Sequence, residues 1–560
     1  MAFQLSAGVN VSEIDLTTVV PSVSSSTGAF AGKFSWGPVN EIVTISDEVR
    51  LAQRFGRPTD TNYEYWFSAA NFLAYSNNLK VVRAAGSGTL NAAANGGVLI
   101  ENNTDYTINH SAGANTNGAF AAKFAGALGN SIKVVMADSA SYGAWDANLK
   151  VQFTDTPATS DYVREVNGAN DEIHILVIDS AGKFSGTSNT ILEKFAFVSK
   201  ASDAKNSDGT SNYYKDVLND RSNYIWWLSH THLVANTGAS WGSAAANASF
   251  DLMTSNASIQ LSSGADGTIA SANIVTAYDQ VANPDSTDVS LIITGPADVT
   301  IAGAVITIAE TRKDCVVFVS PEKTDVVDNY GSETTDILSY RNSLTSSSYA
   351  IMDSGWKYQY DKYNDTYRWV PLNGDIAGLC ARTDLERDPW FSPAGSNRGI
   401  IRNLVKLAWN PTKADRDDLY TKGVNPVVTF AGEGTMLFGD KTMLSRPSAF
   451  DRINVRRLFI VLEKSVARAA RSSLFEFNDQ FTRAQFVNLV EPFLRDVQGR
   501  RGITDFRVVC DETNNTAEVI DRNEFVGDIY IKPARSINYI QLNFVAVRTG
   551  VRFEEIVGRF

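Results

Sequence analysis

The chain has 560 residues, 44% hydrophobic, 20% charged and 11% aromatic, enough at about 150 residues per domain for three or four cores and unlike a disordered, collagenous or disulfide-stapled chain. Its net charge of −12 is uneven: residues 441–560 carry 19 Lys/Arg against 15 Asp/Glu, while residues 222–311 carry no Lys or Arg. A mildly basic end so rich in acids lacks the dense stripe that nucleic acid binding needs, and it suits a protein partner with an acidic face.

The first twenty residues read as an extended arm. Val9 and Val11 alternate, the phase shifts as at a bulge, and Ile14 and Leu16 alternate before Pro21. Four apolar residues make no core, so such a segment frays or adds to another sheet edge. No signal peptide is read in MAFQLSAGVNVSE. After a loop at residues 24–27, GAFAGKFSWGP at 28–38 gives a strand and a Gly37-Pro38 turn, and Asp47 is placed to cap a short helix. Trp66, Ala69, Ala70 and Leu73 mark a helix over 63–75, followed by a strand at 79–83.

At Gly86 the composition turns to Ala, Asn, Gly, Ser and Thr, with short alternating stretches at 132–136 and 172–178. This reads as a β-rich insertion, with Tyr213, Tyr214, Trp226 and Trp227 supplying apolar mass. From Asp288 the pattern is strand (289–294), helix (302–311), strand (315–319), a βαβ unit completing the half-domain begun at 28–85. The apolar run at 301–309 is far short of the roughly 20 residues that span a bilayer, so no transmembrane helix is read. Two helices follow, one with Val455, Leu458, Phe459, Leu462, Val466 and Ala469 on one face, the other with Phe486, Val487, Val490, Leu494 and Val497. Pro492 should kink or restart the second. The chain closes with a strand alternating Ile540, Leu542, Phe544 and Ala546, a turn near Gly550, and residues 551–556.

Chemical motifs are sparse. Residues 434–442, GTMLFGDKT, approach a phosphate-binding loop, but Asp440 puts an acid into the nest and displaces Lys441, which favours a structural turn. His230 and His232 would share a strand face, yet two ligands are no zinc site, and His110 and His174 lie far off in sequence. Ser392 precedes Pro393 in a rigid turn without a base, and no Gly-x-Ser-x-Gly elbow exists. Cys315, Cys380 and Cys510 read as reduced thiols, Cys315 as a small buried hydrophobe. The pairs Arg456-Arg457 and Arg500-Arg501 read as solvated faces or interface candidates. No cofactor is called for, and neither a metal nor a catalytic residue is assigned.

Taken in order, several weak segments resemble the tail sheath proteins of contractile-tailed bacteriophages, T4-like myophages most of all. At the N-terminal side these are Gly8-Val9 with Glu13, the 28–38 segment, Phe55-Gly56, AANFL at 69–73 and LKVVRA at 79–84. On the C-terminal side they are DCVVFVSP at 314–321, Pro389-Trp390 with SPAG at 392–395 and Arg398-Gly399, Phe438-Gly439 with Thr442, INVRRL at 453–458 and FEFND at 475–479. Residues 87–286 resemble nothing recognisable, which matches the family's variable outer insertions.

The resemblance implies an α+β multidomain chain. An arm (1–20) precedes a discontinuous α/β middle domain (21–86 with 287–440), a β-rich outer insertion of one or two subdomains (87–286), and an inner C-terminal α/β domain (441–560). The inner domain's sheet is completed by neighbours' terminal strands, with Val9, Val11, Ile14, Leu16, Ile540, Leu542, Phe544 and Ala546 as the exchanged residues. It further implies a structural, non-enzymatic role in the virion tail, assembled in the host cytoplasm. Stacked hexameric rings would surround a tail tube in a metastable extended state and contract to drive the tube through the host envelope. Partners would be further copies of itself, the tube protein, the baseplate and the tail terminator, without nucleic acid or membrane insertion. The helix over 482–497 with Arg495, Arg500 and Arg501 is the tube-facing candidate by position. Sheaths of bacterial contractile injection particles share this core. Two other classes compete: an adhesin reading a receptor or glycan through the insertion, which needs no paired donor strands, and a hydrolase, which needs a nucleophile beside a base.

Overall fold

The computed structural model describes residues 23–113, 116–231, 240–539 and 541, in two compact units. The larger is built on Gly28–Gly32 (β1), Ile42–Ile45 (β2), the helices Glu48–Phe55 (α1) and Tyr63–Leu73 (α2), and Leu79–Arg83 (β3). The side chain of Asp47 accepts from Arg50 N at 2.8 Å and caps α1, as its position before the first apolar turn predicts.

The insertion carries Ile132–Ala137 (β4), Glu172–Asp179 (β5), Thr190–Ser199 (β6) and Ala257–Gln260 (β7), an antiparallel sheet of order β7-β4-β5-β6. Both of its faces are covered, one by Tyr214, Trp227 and Phe120, the other by Trp145 and Phe153. The expected half-solvated alternation is therefore replaced by near-continuous burial in β4 and β5. A bulge lets two residues of β6 oppose His174, whose Nδ1 accepts from Phe197 N at 3.1 Å. Inside, Lys200 and Asp138 pair at 3.0 Å with neither side chain exposed.

The core resumes at Ser271–Asp279 (α3), inside the stretch expected to belong to the insertion. Then come Leu291–Ile293 (β8), Val299–Arg312 (α4), Val316–Val319 (β9), Ala350–Asp353 (β10), Trp356–Asp361 (β11) and Thr366–Pro371 (β12). Asn373–Glu386 (α5), Val424–Asn425 (β13) and Ile453–Ala470 (α6) follow, among other shorter elements. One sheet runs β13-β10-β9-β8-β1-β3-β2, parallel except at its β2 edge. Gly28 pairs with both Leu79 and Leu291, so strands from either side of the insertion are neighbours.

Two cores follow from the pleat. Phe30, Val81, Ile293 and Phe318 face α2, α5 and α6 through Trp66, Phe72, Leu379 and Ile460, while Ala31, Val82, Ile292 and Val317 face α3 and α4 through Tyr278 and Val305. Each large apolar side chain so buried contributes roughly 1.5–3 kcal/mol. The helices α2 and α5 pack so closely that a Cβ on Gly374 would stand 2.3 Å from the Ser68 carbonyl oxygen. Only glycine permits that approach.

The larger unit continues to Ser472 and includes α6, which the sequence reading grouped with the C-terminal segment from 441. Arg456 and Arg457 are not the solvated pair that charge alone suggests. The Arg457 guanidinium is buried against Asp384 at 2.5 Å, and that of Arg456 lies 3.9 Å from the Phe450 ring centroid and 4.3 Å from that of Tyr349. Asp384 and Tyr349 come from distant parts of the sequence, invisible to a local reading, and only Phe450 lies nearby. Among the described residues no helix is long and apolar enough to cross a membrane.

The smaller unit comprises, among the described residues, Trp390–Ser392 and the chain from Ser473, with Gln480–Gly499 (α7), Ile503–Val509 (β14) and Asp528–Pro533 (β15).

Candidate assembly interface

Within the smaller unit, β14 and β15 pair antiparallel as a sheet of two strands among the described residues. Phe506 and Val508 oppose Ile531 and Ile529 on one face, all half-buried, and α7 packs against β14. The other face pairs Asp505 with Lys532 at 2.9 Å and Arg507 with Tyr530. A two-stranded sheet is marginal alone and leaves two edges of unpaired backbone groups, the usual template for an added strand. Neither outer edge carries a further strand among the described residues. The eight residues expected to exchange, Val9, Val11, Ile14, Leu16, Ile540, Leu542, Phe544 and Ala546, lie outside the described residues.

The helix α7 starts at Asp479, whose carboxylate accepts from Thr482 N at 2.8 Å. It buries Phe486, Val490, Leu494 and Val497, as their spacing predicts. It does not restart at Pro492, because that residue is exposed and water can satisfy the carbonyl one turn back. Of the tube-facing candidates, Arg495 is 71% exposed and reaches Glu491 at 3.2 Å, and Arg500 is 51% exposed and reaches Asp496 at 3.5 Å. Such exposed pairs contribute at most a few tenths of a kcal/mol. The Arg500 guanidinium also lies 5.2 Å from the Trp390 ring, and Trp390 Nε1 donates to Arg500 O at 3.1 Å. Arg501 is exposed at φ +68°. Its N–H donates to Gln498 O and that of Gly502 to Val497 O, so Arg501 occupies the left-handed position of a Schellman cap that glycine usually fills.

The sequence reading took Phe475 to Asp479 only as a family-like segment and did not foresee the exposed apolar cluster at the start of α7. Phe475, Phe477 and Phe481 are 105%, 84% and 75% exposed, and Leu474 is 62% exposed. Three phenylalanines within seven residues, off the helix stripe of Phe486 and Val490, were the available signal. The chemical motifs resolve structurally. Residues 434–437 are a strand in a hairpin with 427–430, Asp440 takes Arg452 at 3.0 Å, and Lys441 Nζ donates to Tyr420 O at 2.8 Å. His230 Nδ1 meets the Tyr214 hydroxyl at 2.6 Å, burial lowers its pKa to about 4, and His232 lies outside the described residues. Past Pro393 the chain turns through Gly395 at φ +89°, with Gly399 N donating to Gly395 O at 2.7 Å. All three cysteines are buried free thiols, and burial pushes Cys315 and Cys380 up to about 12. Among the described residues no cluster of three metal-ligating side chains occurs.

Three family models match in chain order: the tail sheath protein Gp18 domain III N-terminal region over 26–84, the phage tail sheath protein central domain over 267–443, and the phage tail sheath C-terminal domain over 445–546. The tail sheath protein of Enterobacteria phage T4 is 35% identical over 677 aligned positions, covering 99% of each chain. That of Vibrio phage KVP40 is 32% identical, covering 99% of this chain and 100% of its own. A crystal structure of a sheath tail protein from Listeria innocua superposes with a TM-score of 0.54 at 11% identity, over 92% of this chain and 96% of that one, a likeness of fold alone. Full-length identity to two tail sheath proteins, with all three domain matches in order, makes this chain a member of the phage tail sheath protein family.

Proposed function

We propose that this chain is the repeating subunit of a contractile tail, stacked as hexameric rings around a tail tube, held extended in a metastable state and contracting to drive the tube through a host envelope. The carrying observation is the sheet of the smaller unit, two strands wide among the described residues, in a chain whose two ends the sequence analysis reads as extended arms. A strand the length of β14 offers about six backbone hydrogen bonds at about 1 kcal/mol each, enough to hold a neighbour through a large reorientation. An arm donated to the next copy makes a heterologous contact that does not close, and this builds helical arrays. No step in this scheme needs a nucleotide or a cofactor.

In this reading residues 1–20 are the donated arm, the part of 441–560 beyond α6 is the inner segment with its C-terminal donor strand, 21–86 with 287–440 and the helices α3 and α6 form the middle domain, and the rest of 87–286 is the outer insertion. Arg495, Arg500 and Arg501 face the tube; because Arg495 and Arg500 already have acids beside them on α7, those two would act as hydrogen-bond donors more than as net charge. The further partners are the tube protein, the baseplate and the tail terminator, and the place is the virion tail, assembled in the host cytoplasm.

The test is deletion of residues 1–16. The truncated protein should stay soluble with the melting profile of the full chain and fail to polymerise, because a donor strand is lost and no core. Tubes formed by the truncated protein would contradict the arm's role.

A further inference from the structure

The hairpin of β11 and β12 carries an aromatic face beside a cleft, and the sheath scheme uses neither. In register, Tyr358 opposes Trp369 and Tyr360 opposes Tyr367, so four rings share one face. Ring centroids lie 4.6 Å apart in the first pair and 5.3 Å apart in the second. Lys406 Nζ sits over the first pair, 5.4 Å from the Tyr358 centroid and 5.6 Å from that of Trp369, whereas Tyr360 and Tyr367 are 48% and 50% exposed. The Tyr360 hydroxyl donates to Asp365 Oδ1 at 2.6 Å, which fixes its ring.

Tyr360 is also one wall of an open cleft of about 430 Å³ between β11, α2 and residues 403–405. Small-molecule sites run from about 300 to 1,000 Å³. Asn71 and Gln359 line the cleft, each only 3% exposed. Asn71 Nδ2 donates to Gln359 Oε1 at 2.9 Å, and no other protein group among the described residues takes up Gln359 Nε2 or Asn71 Oδ1. A buried amide donor and a buried amide acceptor thus stand side by side with hydrogen-bonding capacity left over. The charged wall residues, Glu48 and Lys362, pair with each other at 3.1 Å, so the cleft presents no net charge.

These features select a ligand class. A flat, fixed tyrosine face takes the C–H face of a sugar ring, and an open donor beside an open acceptor matches hydroxyls, which do both. Nucleotides and phosphorylated or acidic sugars need cations that the cleft does not supply. A peptide would meet the amides equally well, but its side chains anchor in holes, whereas Tyr360 and Tyr367 offer flat faces outside the cleft.

We infer that the cleft between α2 and β11, together with Tyr360 and Tyr367, binds a neutral oligosaccharide, one sugar ring on Gln359 and Asn71 and the next stacked on the tyrosines. This goes beyond the sheath reading and does not depend on polymerisation.

Saturation-transfer NMR of the unpolymerised full-length protein with maltohexaose, cellohexaose and mannohexaose in turn tests it. Saturation should reach the ring protons of at least one of them, and acidic hexagalacturonate should not compete. Tyr360→Ala/Tyr367→Ala, and separately Val405→Trp, which fills the cleft from an exposed position, should melt as the unsubstituted protein does and weaken that binding about tenfold or more. No transfer to any of the three neutral sugars, unchanged binding in either variant, or tighter binding of hexagalacturonate would each overturn the site. A valine–serine hexapeptide that binds and is lost in Val405→Trp, with no sugar bound, would assign the cleft to a peptide and overturn it as well. None of these results bears on the sheath reading, which stands or falls on polymerisation.

Discussion

Arg501 holds a left-handed backbone where a glycine would sit without strain, a cost of about 1 kcal/mol to the free subunit. Arg501→Gly should therefore raise the smaller unit's stability by about 1 kcal/mol in chemical denaturation while weakening binding to tail tubes; stabilisation with unchanged tube binding would remove Arg501 from the tube-facing set. Asp353 makes a pH prediction. Buried at the end of β10, its carboxyl is pushed up to about 8 chiefly by burial, with Asp375 adding to the effect and hydrogen bonds from Gly355 N and the Ser320 hydroxyl opposing it. Between about pH 4 and pH 8 the folded chain keeps a proton that the unfolded chain has released. Stability therefore falls as pH rises through that window, by up to about 1.4 kcal/mol per pH unit, and levels off above it. Asp353→Asn should remove this slope, so its melting temperature relative to the unsubstituted protein should climb from pH 5 to pH 8. Parallel melting curves would show that Asp353 does not titrate there.

At the scale of elements, α6 is fastened into the larger unit through charge. Arg457→Met strands Asp384 as a buried acid and should cost about 3–5 kcal/mol, while Arg457→Met/Asp384→Leu should recover most of it, as scanning calorimetry would show. That pair was illegible in the sequence because its acid lies 73 residues away on another helix. What the sequence did disclose were elements with one strong signal. The run at 315–319 is apolar throughout because β9 is buried on both faces, and α2 was legible from its length and the spacing of Trp66, Ala69 and Ala70, although it is buried continuously from Trp66 to Phe72. The helix α5 escaped because its buried stretch from Asn373 to Ala381 mixes Asn, Asp and the glycines 374 and 378 with the apolar residues, so no apolar period marks it. The hairpin of β14 and β15 escaped for the opposite reason, its apolar residues being only half covered. The aromatic cluster at 474–481 was quoted as a family-like segment without its exposure being foreseen, since exposure is a tertiary fact.

For the whole molecule, the sequence conveyed a mixed α and β chain with a β-rich insertion, its two ends lie outside the described residues, and the family match rests on the full length at 35% identity to the T4 sheath. The β-rich insertion has a sheet of its own, four strands with both faces covered and a buried Lys200–Asp138 pair, and Trp36 from the 28–38 segment packs into its core. The smaller unit shows, among the described residues, a sheet of two strands only, and the proposal is that strands from other copies extend it. The central claim is that copies complete one another, and the direct measurement is negative-stain electron microscopy of the purified full-length protein with tail tubes present to nucleate assembly. The account predicts striated hollow tubes wide enough to enclose a tail tube; discrete particles alone, with the tubes left bare, would contradict it.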